Sequence, residues 1–121
     1  MPKLMGPLRE RYISRDGGYT RVVRTEPKNT YDQGESAILE FVDGARDSKF
    51  MLTAKTIARD ALLGRKPTPL TLVNMRKVTA FRPKEELAEM ANTFLIRDSE
   101  KVEGDKTTIP ANQLEEIIAM I

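Results

Sequence analysis

Apolar positions fall into two short runs in the first third of the chain and recur at helical spacing from Phe50 onward. Tyr19–Thr25, with Thr20, Val22, Val23 and Thr25 β-branched, predicts one strand, and the short apolar run Ser36–Val42 predicts a second. Between them Glu26 to Glu35 holds Pro27, Asn29, Asp32 and Gly34, so an antiparallel hairpin with a long polar loop is expected, with Asp43-Gly44 closing the second strand. Ahead of the hairpin, Leu4, Leu8 and Tyr12 at spacing four predict a short helix over residues 2–14. Gly6 and Pro7 weaken its first turn, and Asp16-Gly17-Gly18 stops it.

From Phe50 the period is helical: Phe50, Ala54, Ile57, Ala58, Ala61 and Leu62 share one face, with Asp47 and Ser48 as cap candidates and Gly64 as the stop. Thr68-Pro69 opens a second helix, running through Leu72, Val73 and Met75 to about Ala80, whose apolar face is less regular. Pro83 starts a third, with Glu85 and Glu86 in its first turn and a stripe of Leu87, Met90, Ala91, Phe94 and Leu95. Residues 97–107 are charged and polar and read as a loop or a frayed helix end. Pro110 begins a last helix with the seam Leu114, Ile117, Ile118 and Ile121. The expected class is α+β: a short N-terminal helix, a two-stranded antiparallel hairpin, then three or four helices. Residues 1–48 form the helix-plus-hairpin part, and residues 49–121 form a helical extension packed on it.

At 121 residues the chain is the size of one ordinary domain. It contains neither Cys nor His, which removes thiolate nucleophiles, imidazole bases, disulfides and the usual zinc sites together. No apolar run approaches the roughly 20 residues of a membrane span, and the start of the chain is not a targeting segment by composition. Gly17-Gly18 lacks the GxGxxG pattern and is followed by a strand. Gly64-Arg-Lys-Pro67 lacks the first glycine and the hydroxyl residue of a P-loop. The carboxylate pairs Glu85 with Glu89 and Asp43 with Asp47 read as solvated caps and turns, so neither an enzyme, a small-molecule substrate, a metal nor a cofactor is expected.

The net charge is only +2, but it is distributed in blocks. Residues 1–28 carry seven basic and three acidic side chains, and residues 29–64 carry four and six. Residues 65–84 carry six and none, and residues 85–121 carry three and nine. Such alternation fits one face meeting a polyanion, or pairing of the blocks within the chain. Across the first helix, the Gly-Gly turn and the first strand, Arg9, Arg11, Arg15, Arg21, Arg24 and Lys28 interleave with Tyr12 and Tyr19. Arginine forks suit phosphate oxygens, tyrosines can stack on bases, and Gly17-Gly18 lets backbone come close to a phosphate. Strand alternation points Arg21 and Arg24 to opposite faces, and Arg46 is expected to pair locally with Asp43 and Asp47. The second basic block offers Arg65, Lys66, Arg76, Lys77 and Arg82 as further phosphate contacts.

Three stretches carry a family resemblance: Leu8-Arg-Glu-Arg-Tyr12, Ser14-Arg-Asp-Gly-Gly-Tyr-Thr-Arg-Val-Val-Arg24 and Glu35-Ser-Ala-Ile-Leu-Glu-Phe-Val-Asp43. In that order and spacing they resemble the C-terminal part of the large-subunit ribosomal protein seventeen family. The extension from Lys49 onward resembles fungal mitochondrial members. The resemblance implies a structural constituent of the mitochondrial large subunit in the mitochondrial matrix. It would bind large-subunit ribosomal RNA through Arg9, Arg11, Arg15, Gly17, Gly18, Tyr19, Arg21, Arg24 and Lys28, and neighbouring ribosomal proteins near the polypeptide exit region. Without the resemblance, the same chain could serve as a free-standing protein-interaction module using the hairpin edge and the acidic helices.

Overall fold

The computed structural model describes residues 1–102 and 111–120. The chain divides into two compact units, Met1–Asp47 and Ser48–Ile121.

The first unit opens on helical backbone whose Leu4–Leu8 portion is π-helical before it tightens into α1, Arg9–Tyr12. Pro7 lies inside the π segment. Its ring supplies no N–H to the helical ladder and crowds the carbonyl one turn earlier, so the wider winding is the form that tolerates it. Gly17 (φ +142°) and Gly18 (φ +67°) then turn the chain into β1, Thr20–Thr25, which pairs antiparallel with β2, Ser36–Phe41. The register sets Thr20 opposite Phe41, Arg21 opposite Glu40, Val22 opposite Leu39 and Arg24 opposite Ala37. One face of the ribbon therefore carries Val22, Leu39 and Phe41, all exposed, and the other carries Arg21, Val23, Ile38 and Glu40. The loop between the strands folds back through an Asn29 Oδ1 bond from the Tyr31 N–H (3.1 Å) and an Asn29 carbonyl bond from the Gln33 N–H (3.1 Å). Among the apolar side chains of this unit, Val42 alone is buried.

The second unit holds the core. α2, Ser48–Leu62, buries Phe50, Ala54, Ile57, Ala58 and Ala61, and packs against α3 (Pro69–Val78), α4 (Lys84–Val102) and α5 (Ala111–Ala119). Met75 and Val78 come from α3, Leu87, Ala91, Phe94 and Leu95 from α4, and Leu114 and Ile117 from α5, giving one continuous cluster. The helix ends follow local chemistry. Gly64 at φ +62° lets its N–H reach the Ala61 carbonyl (3.2 Å) and the Arg65 N–H reach the Asp60 carbonyl (2.9 Å), a Schellman closure of α2. Thr68 Oγ1 accepts from the Thr71 N–H at 3.3 Å and Pro69 occupies the first helical position of α3.

The α+β class and the order of elements are those expected; the first helix ends at Tyr12, two residues short of its expected end, and the C-terminal bounds of α3 and α4 also differ. α4 runs on through residues 97–102, expected as a loop or a frayed helix end, because that stretch is polar but contains neither Gly nor Pro. Residues 103–107 of the expected loop, Pro110, and Ile121 of the last seam lie outside the described residues. α3 stops at Val78, where Thr79 turns its N–H (3.0 Å) and its Oγ1 (2.8 Å) onto the Met75 carbonyl.

Candidate nucleic-acid interface

The basic side chains of the first unit divide into two groups. Arg15 donates to Asp43 Oδ2 at 2.6 Å and to the Gly17 carbonyl at 3.0 Å. Arg21 donates through Nη1 to Asp47 Oδ1 (2.6 Å) and to its cross-strand partner Glu40 Oε1 (2.9 Å). Asp47 is only 2% exposed, and its other oxygen accepts the Asp43 N–H at 3.1 Å. Burial works against the charge on Arg21, yet the hydrogen bonds it donates to Asp47 and then Glu40, with their negative charges, outweigh it and raise the guanidinium pKa above its ordinary value. Asp43 itself sits at φ +58°, a left-handed conformation that aspartate tolerates better than most residues. The Tyr12 hydroxyl donates to the Val42 carbonyl, the Tyr19 hydroxyl donates to the Arg15 carbonyl (3.0 Å), and the two rings lie 5.1 Å apart. Helix α1, the Gly-Gly turn and the close of β2 are thus fastened to one another by polar contacts, in a unit with almost no buried apolar surface.

This arrangement corrects two expectations. Asp43 and Asp47 are not solvated turn residues: they are the acidic half of the fastening. Arg46 does not pair with them, because Arg15 and Arg21 already do; it is exposed and forms no ion pair among the described residues.

The remaining cations face solvent. Arg9, Arg24 and Lys28 are exposed without an ion-pair partner among the described residues, and Arg11 is exposed with its guanidinium 5.9 Å from the centre of the Tyr12 ring. Arg24 stands on the face of Val22, Leu39 and Phe41, opposite to Arg21, as the alternation required. A groove of about 520 Å³ runs along this unit, lined by Leu4, Leu8, Tyr12, Ile13, Tyr19 and Phe41 together with Arg9, Arg15 and Thr20. Tyr19 therefore lines the groove while its hydroxyl is tied down. At the turn, a Cβ on Gly17 would meet nothing within 4 Å, so the open backbone there is accessible from outside.

In the second unit Arg82 is occupied: its guanidinium lies 3.8 Å above the Phe50 ring and bonds Glu86 at 2.9 Å. Arg65 and Lys66 line a cavity of about 180 Å³ with Glu116, Ile117 and Met120. Arg76 and Lys77 are exposed at the end of α3. The sequence reading missed the acids Glu40, Asp43 and Asp47 as fastening partners. The signal that could have found them is the register, since strands of six residues closed at Asp43 put Glu40 across from Arg21.

Comparison with known proteins extends this picture. A family profile described as Ribosomal protein L17 matches residues 1–42. The chain is 58% identical over 82 residues to a large ribosomal subunit protein bL17m of Neurospora crassa, which is 68% of this chain and 42% of that protein. It is 39% identical over 82 residues to the bL17m of Schizosaccharomyces pombe, covering 68% of this chain and 39% of that protein. With the bacterial bL17 of Staphylococcus haemolyticus the identity is 46% over 43 residues, 36% of this chain and 34% of that protein. The chain thus spans about two-fifths of the length of its fungal relatives. An 82-residue alignment cannot be contained within the first unit, which ends at Asp47, so the fungal similarity runs on into the helical unit. The fastening residues Arg15, Arg21 and Glu40 fall inside the profile match, and the chain belongs to the ribosomal protein L17 family, on its fungal mitochondrial side.

Proposed function

We propose that the chain is part of a structural constituent of the large subunit of the mitochondrial ribosome, binding ribosomal RNA and neighbouring ribosomal proteins during translation in the mitochondrial matrix. The observation that carries this is the family match over the helix and hairpin, continued into the helical unit by the mitochondrial relatives. The role is architectural, not enzymatic. RNA meets the first unit through Arg9, Arg11, Arg24 and Lys28, together with the Gly17-Gly18 turn and Tyr19, since these groups are not consumed by internal ion pairs among the described residues. Arg15 and Arg21 hold the frame that presents those groups, and Arg82 holds α2 to the start of α4. In this reading the unit lies near the polypeptide exit region, and the free-standing interaction module is not favoured.

The test is sedimentation of the tagged full-length protein in a mitochondrial lysate. Cofractionation with the large subunit is expected. Recovery only in the soluble top fractions would overturn the assignment.

A further inference from the structure

α3 is a helix with two apolar faces. Met75 and Val78 are buried in the core on one side, beside Thr71. At 100° per residue the opposite side is centred on Val73, with Pro69 and Leu70 one turn earlier and Arg76 and Lys77 one turn later. Leu70 is 70% exposed and Val73 43% exposed, so the irregular apolar pattern of this helix in the sequence is a second, outward stripe. Arg76 and Lys77 are exposed and form no ion pair among the described residues. No acidic side chain occurs anywhere from Ala61 to Lys84, so nothing on α3 offsets those cations.

We infer that the outward face of α3 is a docking site for a neighbouring protein, specifically an amphipathic helix whose apolar stripe is bordered by Asp and Glu. The inference rests on the ribosomal reading above and names the partner of that reading by its chemistry. An apolar centre with a charged border is the anatomy of a protein interface. RNA is contacted through phosphates, 2′-hydroxyls and stacked bases, for which a leucine and a valine at the centre of a face offer nothing. The border decides the sign of the partner: two cations without an ion pair among the described residues, on a helix that carries no acid, select an acidic surface and reject a basic one. Short helices recognised this way are read through positions three and four apart, the spacing of Leu70, Val73 and Lys77. The alignments agree, because the similarity to the mitochondrial relatives runs over 82 residues where the bacterial protein matches over 43. Part of the helical unit is thus shared with the fungal mitochondrial relatives.

The test places a photoreactive benzoylphenylalanine at Val73 of the full-length protein, with a control at exposed Asn92 on α4, and reads adducts in purified large subunits. Adducts from position 73 are expected on a ribosomal protein segment in which Asp or Glu flank apolar residues at helical spacing, and not from position 92. With the photoreactive group moved to Lys77, Leu70→Asn together with Val73→Asn should lower that adduct about tenfold, with the helical far-UV signal unchanged because both side chains are exposed. An adduct to ribosomal RNA, an adduct that survives the double substitution, or no adduct from a protein that does sediment with the large subunit overturns the docking site and leaves the ribosomal reading intact. Failure of the unsubstituted protein to sediment with the subunit overturns both.

Discussion

Arg21 and Arg24 are three residues apart on one strand and have opposite duties. Arg21 is held by Asp47 and Glu40, whereas Arg24 stands on the other face without a carboxylate partner among the described residues. Replacing Arg21 by Met would take from Asp47, at 2% exposure, the guanidinium that balances its buried charge. Breaking a buried pair costs about 3–5 kcal/mol, and partial exposure of the guanidinium brings the expected loss to about 2 kcal/mol. Arg24→Met should change stability by less than about 0.5 kcal/mol while weakening RNA binding. The measurement is selective because the chain has three tyrosines and no tryptophan, and Tyr12, Tyr19 and Tyr31 all lie in the first unit. Tyrosine fluorescence during urea unfolding therefore reports that unit, and equal losses for the two variants would remove the distinction between frame and contact. Because the pKa of Arg21 is raised, its stabilising charge is fully present below the ordinary arginine range and fades only above it. No titration of Arg21 itself should appear between about pH 5 and pH 9. At the Gly-Gly turn, Gly18→Val forces a β-branched residue to φ +67° with no steric clash to blame, since the nearest atoms to a Cβ are Arg15 Nη2 and Nε at 3.9 and 4.0 Å. A cost of about 1–2 kcal/mol is expected from backbone strain alone, again read by tyrosine fluorescence.

Among the elements, the contact between α2 and the start of α4 makes the sharpest test. Arg82 bridges Phe50 and Glu86, two helices' worth of structure fastened by one side chain. Arg82→Ala should lower the stability of the helical unit by about 1–2 kcal/mol, through lost stacking, ion pairing and stem packing, while Arg76→Ala leaves it within about 0.5 kcal/mol. Far-UV circular dichroism follows this transition, and identical midpoints for the two variants would show the bridge to be idle. The elements themselves were largely legible. Thr68-Pro69 and Gly64 mark helix ends by chemistry that acts over a few residues, and the β-branched run at Val22 and Val23 marks a strand. The continuation of α4 through Arg97–Val102 was legible only as one of two readings, loop or helix end, because the stretch is polar like a loop yet holds no residue that stops a helix. The candidate site was legible only as a set of cations. Which of them are spent depends on contacts such as Arg15 with Asp43 and Arg21 with Asp47, whose partners are far apart in sequence and meet through the hairpin register and the turn after β2.

For the whole molecule the contrast between the units governs behaviour. The helical unit buries a continuous cluster from Phe50 to Ile117, while the first unit buries Val42 and is otherwise fastened by polar contacts. Polar fastening contributes little per contact in water compared with buried apolar area, so the two units should not unfold together. In urea the tyrosine signal is expected to change at lower denaturant than the far-UV helical signal. A ligand that binds the folded first unit must then move the first transition by mass action. Large-subunit ribosomal RNA present at a hundredfold excess over its dissociation constant should raise the stability of that unit by about 2.7 kcal/mol and leave the helical transition in place. Added salt should erase the shift if the proposed contacts of Arg9, Arg11, Arg24 and Lys28 with phosphates release counterions. If RNA instead raised the helical transition and left the tyrosine signal unmoved, the RNA-facing cations would be Arg65, Lys66, Arg76 and Lys77. The proposed division of labour, RNA on the hairpin unit and protein on the helical unit, would then be reversed.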